Sequence, residues 1–466
     1  MSFNSSLFSA TTSFRQNTLS NANFASATFS GNTTFSQSTL SGANFTGGRF
    51  SGSTTFSSAT LSGATFSNAN FSGTTNFVQS TLSSASMKNA LFNGTTSFTQ
   101  GTLLRADFSG STFSRLTTFS TTTLTGATFS GANFSGTTSF LRNTMANSNF
   151  SNASFSGTTS FLQNTMSSVI FTGALLDGLV NFTGERNASH SVVSGQLDGA
   201  RFDRAQFLGN VRFTDTNIGG GNFTGAVLSG NVTFSHSDLI GANFTDAQLN
   251  GTVLFKGEKD ASYAMLSGKM NGSTFSGAYL GENVTFDNVA LDNSVFRVSS
   301  TAGAAVLDGV SFINAGLAWV DFTGATITGD TSFTDYSWAN NANFSNVTFG
   351  STNGSQVLFD DAYLVGSVFN GANFTGSILF KISNWNAGFY NNTDFSRANF
   401  AAGSDVTFDG GNAAMGSMIF GSTPTYAGKL TFKNIDVSDF DFAGATFRGT
   451  SQTIFSNATV DNISFE

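Results

Sequence analysis

The chain has 466 residues, among them 55 Phe, 51 Gly, one Pro and no Cys, with only 10% charged residues and a net charge of −8. Without cysteine, disulfides and thiolate metal sites are excluded, and no stretch approaches the roughly 18 consecutive apolar residues that would argue for a membrane span. Composition alone, rich in Ser, Thr, Asn and Gly, would suit a low-complexity chain, but the placement of Phe argues against disorder, because each buried Phe contributes about 1.5–3 kcal/mol. No basic segment followed by an apolar run opens the chain at Met1, so a signal peptide is not expected.

Taken in order, the chain begins inside a repeat. After Phe3 and Phe8, large apolar residues fall at Phe14, Leu19, Phe24 and Phe29, then at Phe35, Leu40, Phe45 and Phe50, in steps of five, five, five and six that make a 21-residue unit. Neither the helical period of 3.6 nor the strand period of 2 produces this, and a fixed long period marks a stacked repeat architecture. The six-residue step recurs once in four, so one unit is one four-sided coil whose extra residue always enlarges the same corner. Small residues two positions before the centres also point inward: Ala22, Ala43, Ala64, Ala106 and Ala127 on the third side, Ala27, Ala69, Ala90, Ala132 and Ala153 on the fourth. First-side residues run from Phe14 to Phe182 without a slip, and the second side is aliphatic from Leu19 to Met166. Like side chains stacked one above another nest at the strand spacing of about 4.8 Å. The frequent Ser-Gly and Thr-Gly pairs read as corners, where Gly supplies permissive backbone angles.

Segments such as Ala43-Asn44-Phe45-Thr46-Gly47 and Ala132-Asn133-Phe134-Ser135-Gly136 carry a resemblance to the pentapeptide-repeat family, whose units read roughly Ala, Asn or Asp, Leu or Phe, then two polar residues. The resemblance covers nearly the whole chain and implies an all-β fold, a right-handed quadrilateral parallel β-helix. This sequence departs from the family's pattern in its regular sixth residue and in its preference for Phe.

Past Phe182 the repeat acquires insertions. The first-to-second-side step is 15 residues from Phe182 to Leu197 and again from Phe255 to Met270. The two inserts, 183–191 and 256–264, are alike in sequence, Gly184 to His190 against Gly257 to Tyr263, and both leave the same corner. Glu185, Arg186, His190, Glu258, Lys259 and Tyr263 are therefore candidate contact residues, since loops carry function more often than scaffolds do; the alternative is a tolerated surface insertion. Residues 1–181 form a regular β-solenoid, and 182–466 continue it with loop insertions. First-side centres continue through Phe213, Phe234, Phe286, Phe312, Phe333, Phe359, Phe380, Phe408, Phe432 and Phe455, with longer loops expected near 297–306, 350–358 and 401–407. Trp338, Trp385 and Tyr390 read as core or corner aromatics, and the segment 415–430 is ambiguous in register. The count is about 20 coils, roughly 95 Å at the strand spacing.

The ends bear most on function. Solenoids close with polar capping repeats, yet here Phe3, Phe8 and Phe14 stand at one end and Phe455, Val460 and Phe465 at the other. These six predict a head-to-tail joint, and an interface that repeats without closing makes a helical filament. Residues 1–170 carry +5, which leaves −13 of the net −8 for the remainder, a polarity that favours serial association. The expected protein is a structural homopolymer of itself, extracellular or at the cell surface. An enzyme is not expected: the two histidines, His190 and His236, sit outside any nucleophile elbow, phosphate loop or metal-spaced cluster. No cofactor, metal, small-molecule substrate, membrane insertion or nucleic acid is expected. Three readings compete: a monomeric adhesive or spacer rod, an ice-binding surface built on the outward column Thr18, Thr39, Thr60, Thr81, Thr102, Thr123, Thr144 and Thr165, and a duplex-DNA mimic that protects topoisomerases. The mimic, a role implied by the family resemblance, needs an acidic rod, and the positive first coils argue against it.

Overall fold

The computed structural model describes residues 1–262, 264–350, 354–382, 390–411, 416–421, 424–438, 440–449, 451–461 and 463. All regular secondary structure among them is β, wound into a parallel β-solenoid of about 21 turns against the 20 expected. It divides into two compact units, residues 1–223 with 230–232 and residues 224–229 with 233–466.

In the first unit residues pair with their equivalents 21 positions on, or 31 positions on across the first insert. The first side is a ladder of four-residue strands, Thr33–Ser36, Thr54–Ser57 and Thr75–Val78 among them, with Phe35 opposite Phe56 and Phe56 opposite Phe77. The fourth side uses two-residue strands such as Thr28–Phe29 and Arg49–Phe50. The second and third sides are held by single parallel bridges, Thr18 to Thr39 and Asn23 to Asn44. Inward residues alternate with outward ones along each side, so Phe and the small residue two before it share the core; Phe24, Phe29, Phe35, Ala22 and Ala27 are fully buried. Within a column the rings lie parallel, Phe45 on Phe66 at 4.7 Å and 1°. Across the coil they meet edge to face, Phe35 against Phe45 at 5.7 Å and 82°. The ladder imposes the stacked contact, and the edge-to-face contact between sides satisfies the ring quadrupoles.

Three corners turn through a residue with positive φ two positions after the centre, such as Gln16 (55°), Asn21 (57°) and Ser26 (55°), and Gly42 and Gly47 serve there for their backbone freedom. At the six-residue corner the role of Gly is different from the one expected. A Cβ on Gly52 would lie 2.4 Å from the Gly31 carbonyl oxygen, and on Gly73 2.2 Å from that of Gly52. Glycine suits Gly52 and Gly73 because backbone packs on backbone there, and neither residue has a positive φ, although Arg115 holds the same place in its own coil.

Polar side chains also enter the core, which the apolar pattern does not disclose. Thr33, Thr75 and Thr96 point inward on the first side and donate to the carbonyl two residues earlier, at 3.2, 3.3 and 3.2 Å. At the next corner Asn143 Nδ2 donates to the Phe119 carbonyl at 2.9 Å while its Oδ1 accepts the Thr122 N–H at 2.8 Å. Asn164 repeats the arrangement one coil later. Thr33, Thr75, Thr96, Asn143 and Asn164 are tolerated in the core because each of them is paired.

The second unit keeps the same ladders. Phe359 stacks between Phe333 at 4.6 Å and Phe380 at 4.8 Å. The ambiguous stretch resolves: Phe420 stacks on Phe395 and Phe442, and Tyr426 on Phe400 and Phe447. Strands Gln356–Asp360 and Asp405–Asp409 occupy part of two spans expected to be loops, because their Val-x-Phe cores continue the first side. Tyr390 is fully buried, as expected of a core aromatic, and burial, with Asp360 and Asp361 adding, pushes its phenol far up. Trp338 is instead 44% exposed, because Ala339 takes the inward second-side position. Trp385 lies outside the described residues. Among the described residues no helix is long and apolar enough to cross a membrane.

Candidate functional site

Of the predicted joint residues, Phe3, Phe8, Phe14, Phe455 and Val460 lie on the outer faces of the first and last coils. Phe3, Phe8 and Phe14 are half-buried, each stacked on one side only, against Phe24 (4.7 Å), Phe29 (4.7 Å) and Phe35 (4.8 Å), which are fully buried. Among the described residues strand Thr12–Arg15 pairs along one edge only, with Thr33–Ser36, and Leu7 beside it is 67% exposed. At the other end Phe455 is 38% and Val460 51% exposed, and strand Gln452–Ser456 pairs with Lys429–Lys433. Phe465 lies outside the described residues. Phe447, 39% exposed over Tyr426 at 4.6 Å, belongs to the same face. It is the fourth-side centre of that coil, and counting back from Phe455 by the six-residue step, lengthened by two, would have found it.

The two inserts are antiparallel hairpins. Glu185–Arg186 pairs with Val192–Ser194, and Glu258–Lys259 with Met265–Ser267, each with a register shift at the same place. A single side chain organises each turn. Asn187 Oδ1 accepts from the Ser189 and Ser191 N–H groups, both at 3.0 Å, and Asp260 Oδ1 accepts from those of Ser262 and Ala264 at 2.8 and 2.9 Å. Hydrogen bonds from the Ser262 hydroxyl and these amides hold the Asp260 carboxyl below the usual carboxylate range. Gly184 and Gly257 stand where each hairpin leaves the wall, and a Cβ on either would lie 2.1 Å from a carbonyl oxygen of the following coil.

The six predicted loop residues divide. Glu185 and Glu258 are exposed. Arg186 is turned to the wall, its side chain only 9% exposed, with Nε 3.4 Å from Asp215 and Nη1 donating to the His190 carbonyl. His190 is half-buried at a positive-φ position. Lys259 is likewise turned inward, donating to Asn314 Oδ1 at 2.9 Å and to the Asn314 carbonyl. Burial lowers its ammonium pKa, against the opposing pull of Asp292 and Asp287. The basic residues therefore anchor the hairpins, and the acidic ones face outward. Asp215 and Asn314 are 29 and 55 residues away in sequence, so no local pattern foretells this. Tyr263 lies outside the described residues.

The outward Thr column of the second side is present, with each Thr from Thr18 to Thr165 bridged to the next. Thr18, Thr60, Thr144 and Thr165 are exposed and Thr39, Thr81, Thr102 and Thr123 half-buried. Among the described residues no group of three or more His, Cys, Asp or Glu could hold a metal ion.

The pentapeptide repeats (8 copies) pattern matches residues 12–54, 105–138, 230–254 and 340–379, and the pentapeptide repeats (9 copies) pattern matches 35–81 and 56–102. The chain is a pentapeptide-repeat protein. Among solved structures this pentapeptide-repeat protein is similar to HetL, a pentapeptide repeat protein involved in heterocyst differentiation regulation from the cyanobacterium Nostoc, at 16% identity over 71% of this chain and 87% of HetL, with a TM-score of 0.19. It is also similar to full-length QnrB1, a plasmid-mediated fluoroquinolone resistance protein, at 13% identity over 65% of this chain and 94% of that one, with a TM-score of 0.21. The alginate lyase AlyGC matches at 9% identity over 98% and 96% of the two chains, with a TM-score of 0.26. No curated protein sequence matches the chain.

Proposed function

We propose that this pentapeptide-repeat solenoid is a non-catalytic structural protein, placed outside the cell, that stacks head to tail with copies of itself into a filament or sheath. The observation that carries the reading is the half-buried state of Phe3, Phe8 and Phe14, whose equivalents one coil on are fully buried. A second copy would cover them with the face bearing Phe447, Phe455 and Val460. The joint would continue the main-chain ladder, since strands Thr12–Arg15 and Gln452–Ser456 each offer an edge and unpaired edges template association. The charge of +5 on residues 1–170 against −13 on the rest favours unlike ends meeting. Exposed Glu185 and Glu258 are the lateral contacts of the reading.

Negative-stain electron microscopy beside sedimentation at low and high salt tests it. Filaments are expected for the full chain, and discrete particles for Phe3→Asp and for Phe455→Asp, with unchanged far-ultraviolet circular dichroism. Discrete particles for the unaltered chain at every concentration and salt, or filaments undiminished in both variants, would discard the stacked joint.

A further inference from the structure

We propose that the second side of the 233–466 unit carries a saccharide-binding cleft, with Trp338 as the stacking platform and Asp292 and Lys259 as the polar clamps. The column that is Thr in the first unit changes character here. Its outward bridged residues run Ala290, Gly316, Trp338, Tyr363. Two residues with little or no side chain are thus followed by two aromatics, and the wall steps down into a floor beside an indole.

Lys259, Ser262 and Met265 of the second hairpin wall that floor on one side, and the cleft, open to solvent, measures about 310 Å³. That lies at the small end of the roughly 300–1,000 Å³ typical of ligand sites, room for one sugar residue of a chain. The Trp338 ring rests on Tyr363 at 4.9 Å and 31°, which backs one face of the indole and leaves the other toward the Gly316 floor. Trp338 is 44% exposed, and Trp319, just past Ala318 on the cleft's edge, is 62% exposed. Large aromatics held open to solvent beside a concave floor are costly unless something flat covers them. The electron-rich face of an indole suits the C–H face of a pyranose.

The polar groups match hydroxyls. Asp292 is oriented by the Ala318 N–H on Oδ1 at 2.9 Å and by Asn271 Nδ2 on Oδ2 at 3.1 Å, and each carboxylate oxygen accepts a further bond, which suits a vicinal diol. Lys259 spends donors on Asn314 and has a third to direct at a ring or hydroxyl oxygen. One carboxylate against one ammonium disfavours phosphate and sulfate ligands. The floor is tight as well as small: a Cβ on Gly316 would already lie 3.3 Å from Asp292 Oδ1.

Affinity electrophoresis of the full chain in native gels cast with a soluble β-glucan, a galactan, a mannan or alginate tests the proposal, with tryptophan fluorescence followed during titration by the matching oligosaccharide. At least one polysaccharide is expected to retard the protein and to shift its tryptophan emission. Trp338→Ala removes the platform, and Gly316→Val fills the floor while leaving every aromatic in place. Each is expected to weaken binding at least tenfold, with unchanged circular dichroism. Retardation by none of the four polysaccharides, or retardation undiminished in both variants, would overturn it.

Discussion

The two units build the same ladder from different materials. In the first, the inward slot two before each first-side Phe is Thr from Thr33 to Thr159 and then Val at Val180 and Val211, and the six-residue corner is a column of Gly packed backbone on backbone, broken at Arg115. In the second, the slot holds Val253, Val284, Val310, Val357, Ile378, Val406 and Leu430, with Thr retained at Thr331. From Glu282 the glycine column gives way, and the corner opens into a cleft of about 650 Å³ lined by Glu282, Asp308 and Asp330 among others. The ring stacks hardly change: 4.7 Å for Phe56 on Phe77 and 4.8 Å for Phe312 on Phe333. The Phe columns and main-chain register therefore define the fold, while corners and secondary slots are free to vary.

The sharpest way to break that comparison is at the crowded corner. Gly73→Ala places a methyl 2.2 Å from the Gly52 carbonyl oxygen and is expected to cost about 3 kcal/mol, as overpacking against an unyielding neighbour does. Gly281→Ala, one position earlier at the same corner of the second unit, where Glu282 holds the place of Gly73, meets its nearest atom at 3.4 Å and is expected to fall within about 0.5 kcal/mol of the parent. Denaturant unfolding of both variants reads the difference; equal losses would refute the crowding.

The Asn relay comes next. Asn143→Ala strips the Thr122 N–H and the Phe119 carbonyl of a partner, with an expected loss of about 2 kcal/mol. Asn143→Asp restores only the acceptor and should recover part of it.

A gain is expected where the first unit departs from its own rule. The hydroxyls of Thr138 and Thr159 have no hydrogen-bond partner, whereas that of Thr75 donates to Gly73. Thr138→Val, which copies the second unit's choice, should stabilise by about 1 kcal/mol, and Thr75→Val should be close to neutral. Thermal unfolding distinguishes them.

The smallest effect separates the hairpins. Asp260 has a folded-state pKa below its unfolded value, so its contribution is present above pH 3.8 and lost as pH falls through the folded value. Asn187 plays the same part uncharged. Hydrogen exchange at Ser262 and Ala264, corrected for intrinsic rates, should accelerate on acidification below about pH 4. The amides of Ser189 and Ser191 should not respond, and Asp260→Asn should make the two hairpins alike.

Most of the architecture was legible in sequence because a 21-residue period leaves few ways to wind a chain. The phase of Phe14, Leu19, Phe24 and Phe29 assigns each residue to a side, and Ala22 and Ala27 mark the second inward slot. What escaped depends on contacts between coils that no single coil encodes. Gly52 and Gly42 look identical as Ser-Gly corners, yet one is needed for space and the other for a positive φ. Trp338 read as a core or corner aromatic because aromatics fill the core elsewhere, but Ala339 holds the inward phase and leaves Trp338 on the outward face of the second side. Arg186 and Lys259 looked like exposed loop charges because their partners lie in later coils.

The constant register has a consequence for how such a chain changes length. Between Phe14 and Phe161 every first-side residue meets a copy of itself 21 positions on. Excising any 21-residue window there, such as residues 57–77, rejoins Phe56 to Val78 in phase and leaves a shorter molecule with every kind of corner intact. Repeat slippage in the gene thus adds or removes whole coils at little energetic cost, because stability in such arrays is close to a sum over neighbours. A change that is neither a multiple of 21 residues nor looped out from the wall shifts Phe out of its column, so length in this region evolves in steps.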